Sequence, residues 1–478
     1  MSAPQQAMNL PTKASANLKS SSLGFLETIG QSLANISPTF TPAINVVAVA
    51  ALAGSASWLV YGLSTLGLLL VGLNIAVLAS RFAAAGSFFI FISRALGPVA
   101  GGIAGWGLIA AYTGTAMGVL AGEAIFVQNA FSPWGITIPT YWIYILSMAL
   151  VWFLSARDIK LSSRLSLGIE AASIAIVGTV LLLVFYKHPG HIVDIKQFTL
   201  AGTSTKGIAE ALVLGVFSYV GFESAASLGK ETKDPLRAIP RAVIWSMLLA
   251  GAFFMFVAYS MVIAYGGDTA KLGNDSAPLL TLAKSLGMSP LGPVFYIVAS
   301  VSAFACVLAS INAASRLLFS MGRYQFVHRS MGMVHAKHQT PHYAVAFASI
   351  ITLIAVLALI ETGALNTFGY TATFATFGFM LAYFLISVSA PVYLKKEGSL
   401  SFKNIVIGTL GGLAMIGAAF GSVYPVPAYP YNILPYLFIG YLIVGFIWLA
   451  VLKKRSPQVL EKIEHDLESS QSEIFGRK

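Results

Sequence analysis

Residues 35–42 read Asn-Ile-Ser-Pro-Thr-Phe-Thr-Pro and fall in the middle of an apolar stretch running from about Phe25 to Gly54. Pro38 and Pro42 have no backbone N–H, and each ring clashes with the carbonyl four residues earlier, at Ala34 and Pro38. A continuous helix is disfavoured there, and the main-chain groups it frees are costly in hydrocarbon unless protein, water or a ligand satisfies them. The amides of Ser37, Thr39 and Phe40 stand at the N-terminal end of the second half, where free N–H groups and the helix dipole favour an anion. Residues 207–229 (GIAEALVLGVFSYVGFESAASLG) form a second such stretch, broken by Gly215, Ser218, Gly221 and Glu223. Here the carbonyls of Phe217, Ser218 and Val220 would face a cation. A solute site halfway through a bilayer is the chemistry these two breaks predict, although the glycines of the second also suit close helix packing.

Four carboxylates extend that chemistry. A charged carboxylate at mid-bilayer costs about 2.5–3.5 kcal/mol on insertion scales. Glu223, inside the second break, is read either as a proton-coupling group or as an acceptor fixed to broken-helix amides. Glu170 lies about nine residues, ~13 Å, from the end of its span. It is read as a binder of Na⁺ or H⁺, as a hydrogen-bonded prop for the first break, or as a buried acid bonded to serines such as Ser166. Glu123 and Glu210 lie near span ends, where they either snorkel or, facing a cavity together, attract di- and polycations. Phe217 and Phe222 are lid candidates, or plain core.

The elements that must position these groups are long and apolar. The chain has 478 residues, 57% hydrophobic and 10% charged, against about 25% charged in a soluble domain. Twelve spans are expected, near 25–54, 57–80, 98–129, 140–156, 161–186, 206–229, 239–266, 290–321, 342–361, 364–390, 403–424 and 432–452. Placing both termini in the cytoplasm puts 24 of the 29 basic residues on that side. The formal net charge of +11 is thereby explained by membrane topology and needs no nucleic-acid partner. Residues 1–22 read as a disordered cytoplasmic tail and 453–478 as a second cytoplasmic tail, in a plasma or inner membrane protein.

The spans carry a hidden repeat. The third and eighth, each about 32 residues or ~48 Å of helix, lie five spans apart, as do the two interrupted ones. An odd spacing inverts the second unit, so residues 23–186 and 206–390 are expected to form a 5+5 inverted repeat, with 401–452 holding two extra helices. Paired interruptions in inverted halves point to a transporter's substrate site.

The run FSYVGFESAASLGKETKDPLRAIPRA (217–242) resembles the sixth span and following loop of amino acid–polyamine–organocation (APC) permeases. AGSFFIFISRALGPVAGGIAGW (85–106) is similar to that family's second loop and third span, and ASINAASRLLFSMGR (309–323) to the end of its eighth. The resemblance implies an all-α, leucine-transporter-like fold of twelve transmembrane helices. It implies a zwitterionic substrate held between the two breaks, by Asn35, Ile36, Ser37, Thr39 and Phe40 on one side and Phe217, Ser218, Val220 and Phe222 on the other. It also aligns Glu170 with a place where proton-coupled relatives carry a lysine standing in for sodium; the sign is reversed here. Where many members have a glycine-rich first break, this chain has Asn35–Pro42.

The expected function is secondary-active transport of amino acids, proton-coupled or by exchange, with polyamine or amine import as the alternative. A channel or membrane-embedded enzyme is the remoter reading. No HExxH, GxSxG or GxxxxGK[ST] motif occurs, so neither a catalytic centre nor ATP-driven transport by this chain alone is expected. The single cysteine, Cys306, excludes a disulfide framework or cysteine metal cluster. No cofactor or metal is expected, with H⁺ or Na⁺ as the coupling ion.

Overall fold

The computed structural model describes residues 18–188, 190 and 192–455. These form helices and turns; among them there is no β-strand, and extended backbone pairs only at two isolated bridges, Leu23 with Thr232 and Ala85 with Leu228. The first apolar stretch is two helices, α1 (Phe25–Ile36) and α2 (Phe40–Ala53), followed by α3 (Ser57–Ala79), α4 (Ser87–Leu96) and α5 (Pro98–Phe131). Next come α6 (Thr140–Arg157), α7 (Ile159–Lys187), the short α8 (Ile195–Phe198), α9 (Thr205–Phe217) and α10 (Pro235–Ala264). The short α11 (Thr269–Gly273) and α12 (Pro278–Ser285) precede α13 (Gly292–Arg323), α14 (His342–Ala358), α15 (Ala364–Glu397), α16 (Phe402–Gly421) and α17 (Leu434–Arg455).

Nine segments of the described residues are long and apolar enough to cross a membrane, one of them running from Phe25 to Ala79. Helices α5 and α15 have 34 residues each and α13 has 32. At about 1.5 Å per residue these exceed the ~30 Å hydrocarbon core and must tilt. Helix α5 packs along both α13 and α15. Gly114 and Gly118 of α5 admit α15: a Cβ on Gly114 would meet Ala375 at 3.0 Å and one on Gly118 the Thr371 hydroxyl at 3.0 Å, while a Cβ on Gly122 would meet the Phe40 ring of α2 at 2.4 Å. Small residues at this spacing let backbones approach closely.

The structure departs from the sequence reading in several places. The interrupted span expected over 206–229 has only its first half as α-helix, which stops at Phe217; residues 218–223 are turns leading into a 3-10 turn at Ser224–Ser227. Contacts with α1 hold this segment: Ser32 Oγ accepts from the Ala225 amide at 3.0 Å, and Ser224 Oγ donates to the Gln31 main-chain carbonyl at 3.2 Å. Residues 87–96, read as loop, form the buried helix α4, and the tenth span runs on to Glu397.

Of the two expected tails, residues 1–17 and 456–478 lie outside the described residues. Residues 18–22 are packed rather than free. Leu18 is buried beside Ala85 and Phe319, Lys19 pairs with Asp158 at 3.0 Å, and the Ser22 and Leu23 amides donate to the Glu231 carbonyl. Burial raises the Asp158 carboxyl, but the Lys19 ammonium and the Lys160 and Leu161 amides outweigh it and hold the group below its usual value. The tether is therefore intact at neutral pH and fades only as pH falls through that lowered value.

Further contacts gather the basic loops at one end of the bundle. Arg81 pairs with Glu397 and Arg164 with Glu27, each at 2.8 Å, and Trp448 Nε1 donates to the Phe326 carbonyl at 2.7 Å. The buried pair Glu231–Arg316 lies at the same end.

Candidate functional site

The two breaks meet. Ser37 takes a left-handed φ of +53° between α1 and α2, and Gly221 takes +93° in the turn after α9. The side chain of Asn35 lies against Gly221, with its Nδ2 only 2.4 Å from where a Cβ on Gly221 would sit. Asn35 is itself fixed from α13: Ser310 Oγ donates to its Oδ1 at 2.5 Å and Cys306 Sγ to its carbonyl at 3.0 Å. Asn45 Nδ2 donates to Ser218 Oγ at 3.0 Å and ties α2 to the end of α9.

Around this junction is a cavity of about 10 Å³, room for about one water. Asn35, Ile36, Phe40, Phe217, Ser218 and Val220 line it, as do Thr41, Ile44, Asn45, Thr115, Val119, Cys306 and Phe368. Three rings close over it, with centroids 6.2 Å apart for Phe40–Phe368 and 6.1 Å for Phe217–Phe368. Two of the six main-chain groups expected to face a solute are engaged within the chain, the Ser37 amide on the Leu33 carbonyl at 2.9 Å and the Phe217 carbonyl by the Val220 amide at 3.1 Å. Among the described residues no hydrogen bond engages the other four, the Thr39 and Phe40 amides and the Ser218 and Val220 carbonyls. The junction thus presents main-chain donors on one break and acceptors on the other, beside an apolar wall.

Three of the nine substrate candidates are not among the lining residues. Ser37 turns to α13, its hydroxyl 2.7 Å from that of Ser302. Thr39 lines a separate small cavity with Pro42, Ala43 and Val46. Phe222 is fully buried against Tyr383, centroid to centroid 5.4 Å. A helix break rotates successive side chains to different neighbours, so adjacency in sequence does not put all of them on one cavity.

The acids also turn elsewhere. Glu223 accepts from Tyr112 Oη at 2.7 Å and from Tyr383 Oη at 2.5 Å, joining the second break to α5 and α15. Glu170 accepts from Ser302 Oγ at 2.7 Å rather than from Ser166, and its other oxygen is buried without a partner. Because Ser302 also meets Ser37, one serine links Glu170 to the first break. Glu123 accepts from Ser147 of α6 at 2.9 Å, and Glu210 sits 3.8 Å from Lys206 beside a different crevice. Neither lines the central cavity, the condition on which their cation-attracting role depended. No cluster of three or more His, Cys, Asp or Glu among the described residues could hold a metal ion.

Thr41, Ile44, Asn45, Thr115, Val119, Cys306 and Phe368 were missed as site residues from sequence. Asn45, a polar side chain inside an apolar span, carried a usable signal. The others look like ordinary packing positions.

The amino acid permease family model matches residues 28–456. The chain is 26% identical to the branched-chain amino acid permease BcaP of Bacillus subtilis (strain 168), over 77% of this chain and 80% of that protein. It is 26% identical to the low-affinity putrescine importer PlaP of Escherichia coli (strain K12), over 65% of this chain and 70% of that protein. A D-serine/D-alanine/glycine transporter of Escherichia coli (strain K12) is 23% identical, over 68% and 71% respectively.

Proposed function

The chain belongs to the amino acid permease family, and on that premise we propose that it carries neutral amino acids with aliphatic side chains by alternating access. The observation that carries this reading is the make-up of the central cavity. Free amides and free carbonyls suit the two charges of an α-amino acid, Ile36, Val119, Phe217 and Phe368 suit its side chain, and no carboxylate lines the wall. A diamine has an ammonium at each end, and burying the second without an acid is costly. The name of the putrescine importer keeps the amine reading as the rival to be tested. At about 10 Å³ the cavity is closed around the junction, so loading requires the three rings and the helices behind them to part.

The accompanying architecture is part of the same proposal. Counting Phe25–Ala79 as two crossings and adding α14 and the interrupted segment 205–227 gives twelve, arranged as five plus five inverted spans and two extra helices. The chain sits in the plasma membrane with both termini cytoplasmic, as the basic loops at one end suggest. Coupling to H⁺ or Na⁺ runs through Glu223, wedged between Tyr112 and Tyr383, and Glu170, next to the first break through Ser302.

Uptake of radiolabelled leucine, alanine and putrescine by purified protein in proteoliposomes tests the substrate. Unlabelled aliphatic amino acids are expected to abolish uptake of the labelled ones, and excess putrescine or spermidine to leave it unchanged. Competition by the amines at similar concentrations overturns the assignment. For the coupling role, Glu223→Gln is expected to insert and fold, losing at most about 1.5–3 kcal/mol of charge-assisted hydrogen bonding. Its uptake should lose most of the wild-type pH dependence; an unaltered pH profile excludes Glu223 from coupling.

A further inference from the structure

A second, larger cavity lies outside the transport site. It measures about 520 Å³ and is bounded by α5, the end of α13, the 324–331 loop, α14, α15 and α17. That volume is in the range of small-molecule pockets, about 300–1,000 Å³. Its wall includes Met117, Phe347, Ile351 and Phe374, and Trp448, Phe347 and Ile351 are exposed on the outer surface of the bundle. The polar atoms of its rings are engaged within the protein. Trp106 Nε1 donates to the Tyr441 carbonyl at 3.1 Å, Tyr441 Oη to the Trp106 carbonyl at 2.8 Å, and Trp448 Nε1 to the Phe326 carbonyl. Apart from His328 at its edge, what is left to meet an occupant is almost all apolar.

The mouth is of the opposite character. His328 lines the cavity, and His328 and Arg329 are both exposed. The Trp448–Phe326 bond brings the end of α17 to this loop, and Lys453 and Lys454, both exposed, follow about 8–9 Å further along the helix. Arg329, Lys453 and Lys454 make no ion pair among the described residues. Residues 324–341 contain no Asp or Glu. An apolar slot running into the bundle from a basic rim fits a molecule with a hydrocarbon chain and an anionic head.

We propose that this crevice between α5, α14 and α17 binds an anionic phospholipid, one acyl chain in the slot and the phosphate at Arg329, Lys453 and Lys454. The apolar lining excludes free phosphate as the occupant, because phosphate alone would use the rim and leave the slot unfilled. The site is independent of which solute is carried.

The test uses the full chain in neutral detergent, with thermal unfolding and native mass spectrometry as readouts. Phosphatidylglycerol, phosphatidylcholine with the same chains, and inorganic phosphate are titrated separately. Phosphatidylglycerol is expected to be retained on the protein and to raise the unfolding midpoint more than phosphatidylcholine, and inorganic phosphate to do neither. The triple variant Arg329→Gln, Lys453→Gln, Lys454→Gln should lower the apparent affinity for phosphatidylglycerol by about fivefold for each basic residue removed. Ile351→Trp, made at an exposed wall position, should displace the retained lipid while the headgroup residues stay in place. Equal stabilisation by the two lipids, unweakened binding in the triple variant, lipid still retained by Ile351→Trp, or a mass showing a second protein copy in place of lipid each overturns the proposal.

Discussion

Gly221→Ala is expected to reduce uptake more than tenfold, to background in most assays, while the protein still inserts. At φ +93° an L side chain costs about 1–2 kcal/mol in backbone strain. The new methyl would also lie 2.4 Å from Asn35 Nδ2, 2.6 Å from its Cγ and 3.0 Å from its Cβ. Asn35 has no easy retreat, because Ser310 and Cys306 hold it from α13. Overpacking of this kind costs about 1–3 kcal/mol more, so the joined arrangement of the two breaks loses at least about 2 kcal/mol. Gly440→Ala is the matched control, since a Cβ there meets nothing within 4 Å. Uptake per inserted molecule is the measurement. Wild-type rates for Gly221→Ala would remove the junction from the transport mechanism.

Arg316→Met is expected to give the largest loss of stability of any single change at the basic end. Arg316 and Glu231 have side chains that are both 0% exposed, and they meet in two parallel contacts, Nε to Oε2 at 3.1 Å and Nη2 to Oε1 at 3.2 Å. The remaining guanidinium nitrogen is used as well, on the Asn312 carbonyl, Asn312 Oδ1 and Ser315 Oγ. Removing one partner strands a buried charge and costs about 3–5 kcal/mol, whereas replacing both with apolar residues of similar volume is often neutral. The double variant Glu231→Leu, Arg316→Met should therefore unfold at a temperature well above that of Arg316→Met alone. Losses that simply add in the double variant would show that the two residues are not coupled. The pair also has a mechanical place. The Glu231 carbonyl receives the Ser22 and Leu23 amides, so one residue clamps the strap at 18–23 and the loop after the second break to α13. Any opening toward the basic end has to move this clamp.

Much of this was legible before any coordinates. Apolar runs of about twenty residues with few charges dictate membrane-crossing helices, because no other open structure satisfies the backbone in hydrocarbon. Pro38 dictates a break in the first of them, because it lacks an amide, and α1 and α2 do part at residues 37–39. The lengths of α5 and α13 were readable for the same reason. The sequence also marked Asn35, Ile36, Phe40, Phe217, Ser218 and Val220, all of which line the cavity.

Only the tertiary structure decided what each polar group at the breaks would face. Once a helix opens, local rules no longer set side-chain direction, and the nearest partner across the bundle does. Ser302 draws Ser37 and Glu170 toward α13, Tyr112 and Tyr383 hold Glu223, and Ser147 takes Glu123. In the second break, where turns replace helix, Ser32 of α1 accepts from the Ala225 amide and the Ser224 hydroxyl donates to the Gln31 carbonyl, so partners from α1 meet groups that a helix would have paired within itself. Phe368 reaches the cavity from a helix more than three hundred residues from the first break, with Gly122 of α5 leaving the space that Phe40 fills opposite it. Composition and proline placement act within a few residues of themselves and so can be read along the chain. Hydrogen-bond partners and notches for rings depend on residues distant in sequence, and they exist only once the helices have packed.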